Sequence, residues 1–588
     1  MKKITEKHIC MIPVVLWIVI IPLIVKVKFF KNPLADYSWY SSESALADFF
    51  LYYKSVFITV TGILMLILLA WQINKMQRKN RLINGDMRIF IPIIIYLVLV
   101  IFSSLFSKFG YFCIHGMPDQ FETVWNLIAY VIALFYLYYM VVYHNSEKSI
   151  LFLVFIGATL VGMICVLQYL KIDIYRLIYA GEGYSFTFEE GTVYGPFYNT
   201  NYVGYYTLLF APLFLMLCIC YKDWKIRIAS GILACALLVS MYGARSDTAE
   251  IVMGGVLFFA ILFVLLKNVR TKKILWLPIA IIIVGGVGGC MLAAPRFDAY
   301  VKSTNIEKRD LENIFTNDDN VEIDYQGKKL YIQMYQDGDL LTFVLKDQDQ
   351  EDVAYEYMVD DGYYCYVIKD DRFKGITLTP VVITDDPVTY GFVVQIDDKN
   401  WCFTNQMMED GTYYYYNDLK KLTKLTDENV SADFAPLVDL NFFATGRGYI
   451  WNKTIPLLKD YIFLGSGPDT YALVFPNDDY VDRYNNYYGN AIITKPHNLY
   501  LQIAVQTGVL SLICFLVFYV WYFISSLRIY FKQRLDNPLV IAGFAVMLGT
   551  LGYMVSGMLN DSTVTITPLY WAMLGMGIGI NHRIKMFY

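Results

Sequence analysis

Four residues outside the long apolar runs of this chain carry anion-binding or proton-transfer chemistry: Arg245, Arg296, Arg447 and His497. Arg245 sits in Tyr242-Gly-Ala-Arg-Ser-Asp247, a short link between two apolar runs, and Arg296 follows another run in Pro295-Arg-Phe297. Arg447 lies in Thr445-Gly-Arg-Gly-Tyr-Ile-Trp451, and His497 in Lys495-Pro-His-Asn-Leu-Tyr-Leu-Gln502, where an apolar run begins. A guanidinium is planar, stays charged and pairs two phosphate oxygens at once. An imidazole, with an ordinary pKa of about 6.5, takes or gives a proton near neutral pH. Three guanidiniums and an imidazole beside a bilayer suit an anion carried by a lipid. The competing readings are a headgroup contact for Arg245 and a hydrogen-bonded turn histidine for His497. Asp247 and Asp469 read as alternative bases or arginine partners. Gly465-Ser-Gly-Pro-Asp-Thr470 adds a glycine turn whose Gly465 and Gly467 N–H groups can face an anion, although no βαβ unit surrounds it. Asn498 adjoins the histidine. No metal ligand cluster or cofactor motif is apparent.

The elements that must position these residues follow from composition. Of 588 residues, 57% are hydrophobic and only 17% charged, with a mean hydropathy of +0.43. These values exclude intrinsic disorder. Twelve runs without Asp, Glu, Lys or Arg are long enough to cross a bilayer and exclude a purely soluble enzyme: 9–25, 55–73, 89–107, 123–143, 149–170, 199–221, 228–244, 251–266, 274–294, 499–527, 537–560 and 562–580. The first reads as a retained anchor. With the N-terminus inside, the inner segments hold 21 Lys and Arg against about eight in the short outer loops, so both termini are expected in the cytoplasm. Lys26, Lys28 and Lys31 in the first outer loop run against that bias. The expected fold is an all-α polytopic membrane protein with two long outer segments, about 171–198 and about 295–498, the second of some 200 residues.

Within that segment, residues 303–440 hold 29 Asp plus Glu against 12 Lys plus Arg, a net of −17, while the rest of the chain carries +13. Alternation in Val321–Tyr325, Leu330–Tyr335 and Tyr363–Ile368, with turn pairs such as Gln326-Gly327 and Asp361-Gly362, predicts an antiparallel β domain, a sandwich in form. Its acidic face suits a cation, a glycan or simply water. Tyr413–Tyr416 suits sugar stacking or core packing, and Cys365 and Cys402 are either a disulfide or two buried thiols. The organisation expected is a membrane domain at 1–294, the β domain at 303–440, an outer loop at 441–498 with an amphipathic helix at 447–459, and a second membrane domain at 499–588. Trp451 on that helix is expected in the headgroup zone.

Gly446-Arg447 with Trp451, Leu464-Gly-Ser-Gly-Pro468, His497-Asn-Leu-Tyr-Leu-Gln502 and Thr507-Gly508 together resemble the core pattern of the O-antigen ligase and polymerase superfamily, membrane glycosyltransferases with a Wzy-type C-terminal region. Gly195-Pro-Phe-Tyr-Asn-Thr-Asn201 resembles that family's Gly-Phe-Asn-Asn segment, and Gly243-Ala-Arg245-Ser-Asp247 its Ser-Arg turn, here with Ala for Ser. The 303–440 insert is not a usual part of the family. The resemblance implies a GT-C-like fold in a bacterial plasma membrane. It also implies transfer, outside the cell, of a glycan from an undecaprenyl-diphosphate donor to another lipid-linked glycan or to a cell-envelope acceptor. Arg245, Arg296 and Arg447 would then hold the diphosphate and His497 would lie at the reaction site, with no metal, cofactor or nucleic acid required. Abundant Lys, Ile, Asn and Tyr with an added outer domain favour a surface polysaccharide over lipopolysaccharide. Polymerase and ligase share these motifs. A transporter or flippase is the competing class, disfavoured because ionisable residues are missing from the spans. A sensor is disfavoured because the inner loops are too short for an output region.

Overall fold

The computed structural model describes residues 6–78, 87–179, 188–268, 309–337, 340–360 and 363–587. Ten of the described helices are long and apolar enough to cross a membrane. Eight lie in the N-terminal half: α1 (Glu6–Leu23), α2 (Tyr52–Arg78), α3 (Met87–Leu105), α4 (Val124–His144), α5 (Glu147–Tyr169), α6 (Thr200–Cys220), α7 (Trp224–Gly243) and α8 (Asp247–Asn268). After the short α9 (Phe443–Thr454) and α10 (Leu499–Thr507), two more follow, α11 (Val509–Lys532) and α12 (Pro538–Ser556). A final helix, α13 (Thr567–Phe587), is equally long but ends in Asn581-His-Arg583, which lowers its hydropathy. The expected span at 274–294 lies outside the described residues.

Two expected boundaries change. The run 499–527 is not one helix: Gly508, at φ 101°, separates α10 from α11. The N–H groups freed at the break are taken up locally, Val509 N–H by the Tyr461 carbonyl (2.9 Å) and Leu510 N–H by that of Ile462 (3.0 Å). The run 562–580 does not begin as a helix either. Ser562-Thr-Val-Thr-Ile-Thr567 alternates β-branched residues and crosses the space before α13 as a turn-rich segment.

The bundle core depends on close helix contacts. A Cβ on Gly575 of α13 would lie 2.2 Å from the Leu134 carbonyl oxygen of α4, and one on Gly549 of α12 2.2 Å from that of Leu209 on α6. Small residues at such crossings let backbones approach, the usual basis of packing where lipid removes the hydrophobic driving force. Trp17 on α1 donates to the Pro568 carbonyl (2.8 Å), tying the first helix to the last. At the end bearing the basic loops, Lys75 pairs with Glu6 and Arg583 with Glu147.

A β hairpin, β1 (Lys28–Lys31) with β2 (Ala45–Asp48), follows α1. The inserted segment holds eleven strands in two antiparallel sheets. The four-stranded sheet runs β3 (Leu311–Thr316), β4 (Val321–Tyr325), β5 (Lys328–Asp337) and β6 (Leu340–Asp347) in sequence order. The seven-stranded sheet holds β7 (Tyr355–Asp360), β8 (Tyr363–Ile368), β9 (Thr377–Asp385), β10 (Val388–Ile396), β11 (Lys399–Thr404), β12 (Tyr414–Tyr416) and β13 (Leu422–Thr423). Phe343 meets Phe392 (5.3 Å) and Tyr366 (5.1 Å) across the shared core. Tyr413 and Tyr415 are buried in it, so the Tyr413–Tyr416 run packs rather than presenting a flat outer face. Cys365 and Cys402 are free thiols on β8 and β11, with β9 and β10 between them. Three strand spacings, about 14 Å, lie beyond disulfide reach.

The β module is fixed to the first loop of the chain, since Lys421 Nζ donates to the carbonyls of Ala35, Tyr37 and Tyr40 (2.6–2.8 Å) and Asn417 to that of Ser38 (2.8 Å).

The Gly575 contact is with backbone, which cannot swing aside. Gly575→Ala is therefore expected to lower the melting temperature of the detergent-solubilised protein by several degrees. Gly254→Ala on α8, where an added Cβ meets nothing within 4 Å, should leave it unchanged or raise it. Equal melting temperatures for the two variants would remove close helix crossing as the constraint.

Candidate functional site

The site is assembled from loops between helices. Asn498 caps α10, its Oδ1 accepting from the N–H groups of Tyr500 and Leu501 (3.0 Å each), while its Nδ2 donates to the Met558 carbonyl (3.0 Å). That cap turns the chain sharply, and His497 before it adopts a left-handed conformation (φ 48°). The imidazole Nδ1 meets Asp561 Oδ2 at 2.8 Å, and Asp561 Oδ1 accepts from the Asn498 N–H (3.2 Å). Asp561 is 1% exposed and the His497 side chain 40% exposed. One imidazole nitrogen is thus committed to a sealed carboxylate while the ring edge reaches a pocket.

Burial acts to raise the Asp561 pKa, but His497, Lys495 and Arg447 act against it, and the carboxyl is held below the usual range. An ionised Asp561 accepts the Nδ1 proton, which leaves Nε2 as the basic nitrogen. Lys495, buried beside it, donates to Tyr202 Oη (3.3 Å).

Arg447 forms part of the same pocket, of ≈ 340 Å³, with His497, Asn199, Asn201 and Tyr488. The backbone before it passes through three left-handed residues, Ala444, Thr445 and Gly446. Gly446, at φ 89°, leaves no room for a Cβ, which would come within 2.5 Å of the Tyr488 hydroxyl. Arg447 Nε donates to the Leu559 carbonyl (3.1 Å), and Nη1 donates to the Ala444 carbonyl (2.9 Å) and Thr445 Oγ1 (2.8 Å). These bonds hold the guanidinium beside the segment that carries Asp561. Trp451 donates to the Pro496 carbonyl (2.9 Å), bracing the histidine turn.

Arg245 is exposed in the α7–α8 turn with φ 52°. The next residue, Ser246, donates to Asn201 on the pocket rim (3.2 Å), so the turn is joined to the site. Arg296 lies outside the described residues. Asp247 is exposed at the start of α8, where a carboxylate favours the helix dipole.

The glycine turn is not an anion nest. Gly465 N–H donates to Ser103 Oγ (3.0 Å), Ser466 N–H to the Val505 carbonyl (2.8 Å) and Gly467 N–H to that of Gln506 (3.0 Å). A Cβ on Gly465 would fall 2.1 Å from the Gln506 carbonyl carbon, so this glycine permits two backbones to cross. Asp469 is also sealed: its Oδ2 accepts from the Met117 N–H (2.6 Å), and burial pushes its pKa up to about 8. It pins one loop to another and does not line the pocket.

Residues 411–516 match a family model described as O-antigen ligase. The matched segment is 106 of the 588 residues. It contains Arg447, Gly465, Gly467, Asp469, His497 and Asn498, and begins within the last strands of the β module. No curated protein and no solved structure gives a significant match. Asp561, outside the matched segment, was missed by sequence reasoning. Its signal was its place as the lone acidic residue between the last two apolar runs. Among the described residues, no group of three or more His, Cys, Asp or Glu side chains could hold a metal ion.

Another buried carboxyl lies beside the segment that carries Asp561. Glu122 accepts from Ser562 Oγ (2.7 Å) and Tyr130 Oη (2.9 Å), and burial pushes its pKa up to about 7. An acid whose folded pKa is raised binds its proton more tightly in the native state. Its contribution to stability therefore declines as pH rises from the ordinary carboxylate range through about 7. Glu122→Gln removes that titration, so the difference in melting temperature, variant minus wild type, should be more positive at pH 8 than at pH 5. A difference independent of pH would show that Glu122 is ionised throughout.

Proposed function

We propose that this protein is a membrane glycosyltransferase that acts on undecaprenyl-diphosphate-linked glycans at the outer face of a bacterial plasma membrane. It polymerises a surface polysaccharide or passes it to an envelope acceptor. The observation that carries this reading is the His497–Asp561 pair opening onto a pocket with Arg447, two of the three residues lying within the segment that matches the O-antigen ligase family model. Arg447, with Arg245 from the neighbouring turn and with Arg296, would grip the diphosphate as charge grows on it. Fixed cations at that position stabilise the transition state. His497 Nε2 would take the proton from the acceptor hydroxyl as it attacks the anomeric carbon from the side opposite the departing diphosphate, inverting its configuration. Asp561 positions the ring and stabilises the imidazolium that forms. The chemistry draws on side chains alone, without a metal ion.

The test is purified protein with a defined undecaprenyl-diphosphate oligosaccharide, in the presence of EDTA. A product ladder identifies a polymerase and a single shifted acceptor band a ligase. Loss of turnover in EDTA, restored by Mg²⁺ or Mn²⁺, would reject the arginine account. His497→Ala should lower turnover by about 10²–10⁴-fold, the usual worth of a positioned base. Asp561→Asn should fall in the same range, because an amide that donates to Nδ1 forces the proton onto Nε2. Arg447→Lys should rescue little, because a point charge does not reproduce the planar fork. Near-normal turnover in His497→Ala would remove the imidazole from the mechanism.

Orientation is tested separately with single cysteines in a cysteine-free background. A thiol at Asp371 in the β module should react with an impermeant reagent on intact cells, and one at Lys585 only after lysis. The reverse pattern would place the pocket in the cytoplasm and defeat the proposal.

A further inference from the structure

The β7–β8 hairpin is the open edge of the seven-stranded sheet. On its core-side face Tyr355, Tyr357 and Val359 of β7 stand opposite Ile368, Tyr366 and Tyr364 of β8. The four-stranded sheet covers only the base of this face: Tyr366 Oη donates to the Leu341 carbonyl (2.9 Å) and Tyr355 Oη to that of Phe343 (2.8 Å). Past that line the described side chains are exposed. Tyr357 is 57% exposed, Val359 59% and Tyr364 55%. The rings of Tyr357 and Tyr364 lie 5.7 Å apart and 23° from parallel, a stacked and exposed aromatic pair at a position where a sandwich normally packs its core.

Two features select its occupant. Phenol rings join an apolar face to a polar edge, which matches a hexopyranose, whose axial C–H groups form an apolar face ringed by hydroxyls. The surrounding segment carries a net charge of −17 over residues 303–440. A field of that sign repels anionic lipid headgroups and polyanions and leaves uncharged sugars unaffected. The register also fixes the location. Val367 pairs with Thr377, and Thr377 with Gln395. This level adjoins Ile396, whose carbonyl faces Tyr484 of the outer loop. Tyr364 therefore lies on the side away from the loop that leads to His497.

We propose that Tyr357 and Tyr364 form a stacking site for an uncharged hexopyranose unit of a glycan chain, separate from the Arg447–His497 pocket. Such a site would hold a chain at a distance from the reacting end and keep it associated between transfers.

The experiment uses the full chain in nanodiscs of phosphatidylcholine, titrated with maltohexaose, cellohexaose, chitohexaose and, as anionic control, hexagalacturonate. At least one neutral hexasaccharide should bind. The Tyr357→Ala/Tyr364→Ala double variant should weaken that binding by about tenfold or more, and Tyr→Phe at both positions should restore most of it. His497→Ala should bind as the wild type does, so this result is independent of whether the pocket is catalytic. The proposal is overturned if no neutral oligosaccharide binds at about 10 mM, if the double variant binds unchanged, or if hexagalacturonate binds more tightly than all the neutral probes. It is also overturned if light scattering shows that the double substitution separates a dimer into monomers, because the tyrosines would then be a contact between copies of the chain.

Discussion

A carboxylate withdrawn from water is tolerated only when opposite charge and N–H donors meet it, and the pocket is arranged around meeting that requirement at Asp561. Its two oxygens take the His497 ring and the Asn498 N–H, and Lys495 and Arg447 supply positive field from other sides. The turn carrying His497 and the segment carrying Asp561 therefore hold each other in place. A few residues away the opposite solution appears. Glu122, among hydroxyls and amides, resolves its burial by keeping its proton. Ser562, next to Asp561 in sequence, reaches Glu122 directly.

The histidine turn also needs rigid support, which comes from a crossing of two backbones. The chain at 461–467 runs beside the break between α10 and α11, and its N–H and C=O groups pair with those of Val505, Gln506, Val509 and Leu510. Gly465 and Gly508 are the points of closest approach: a Cβ on Gly508 would lie 2.7 Å from the Phe463 carbonyl oxygen. The Gly-Ser-Gly-Pro run and the Thr-Gly pair are thus one feature. They consume backbone polar groups that would otherwise stand unpaired inside the bundle.

The sequence conveyed the helical bundle, the antiparallel module and the positions of Arg447 and His497, because each rests on a local signal: uncharged runs, period-two alternation, and residue types at apolar boundaries. It did not convey Asp561, whose importance depends on a contact 64 positions away in the chain. The glycine turn was misread for a related reason. A glycine that frees N–H groups for a ligand and one that admits a crossing backbone are the same letter, and only the partner distinguishes them. The single helix expected over 499–527 had the same fault, since hydropathy does not register a change of backbone direction at Gly508. Asn199 and Asn201, met only as part of a faint motif, reach the pocket wall because Asn199 caps α6 and turns its first residues toward Arg447.

The β module is not an independent appendage on this site. It rests on the loop 471–494, where Tyr484 Oη donates to Asp398 Oδ1 (2.6 Å) and Asn485 Nδ2 to the Leu311 carbonyl (2.8 Å). That loop is stiffened from within by Asn477, which bonds Ala472 and Ile493 from its side chain, and by buried Arg483, which donates to the carbonyls of Asn477 and Gly489. Two residues after Ile493 comes Lys495, and two after that His497. The acidic module and the turn that carries His497 are therefore joined by one short, packed stretch of chain.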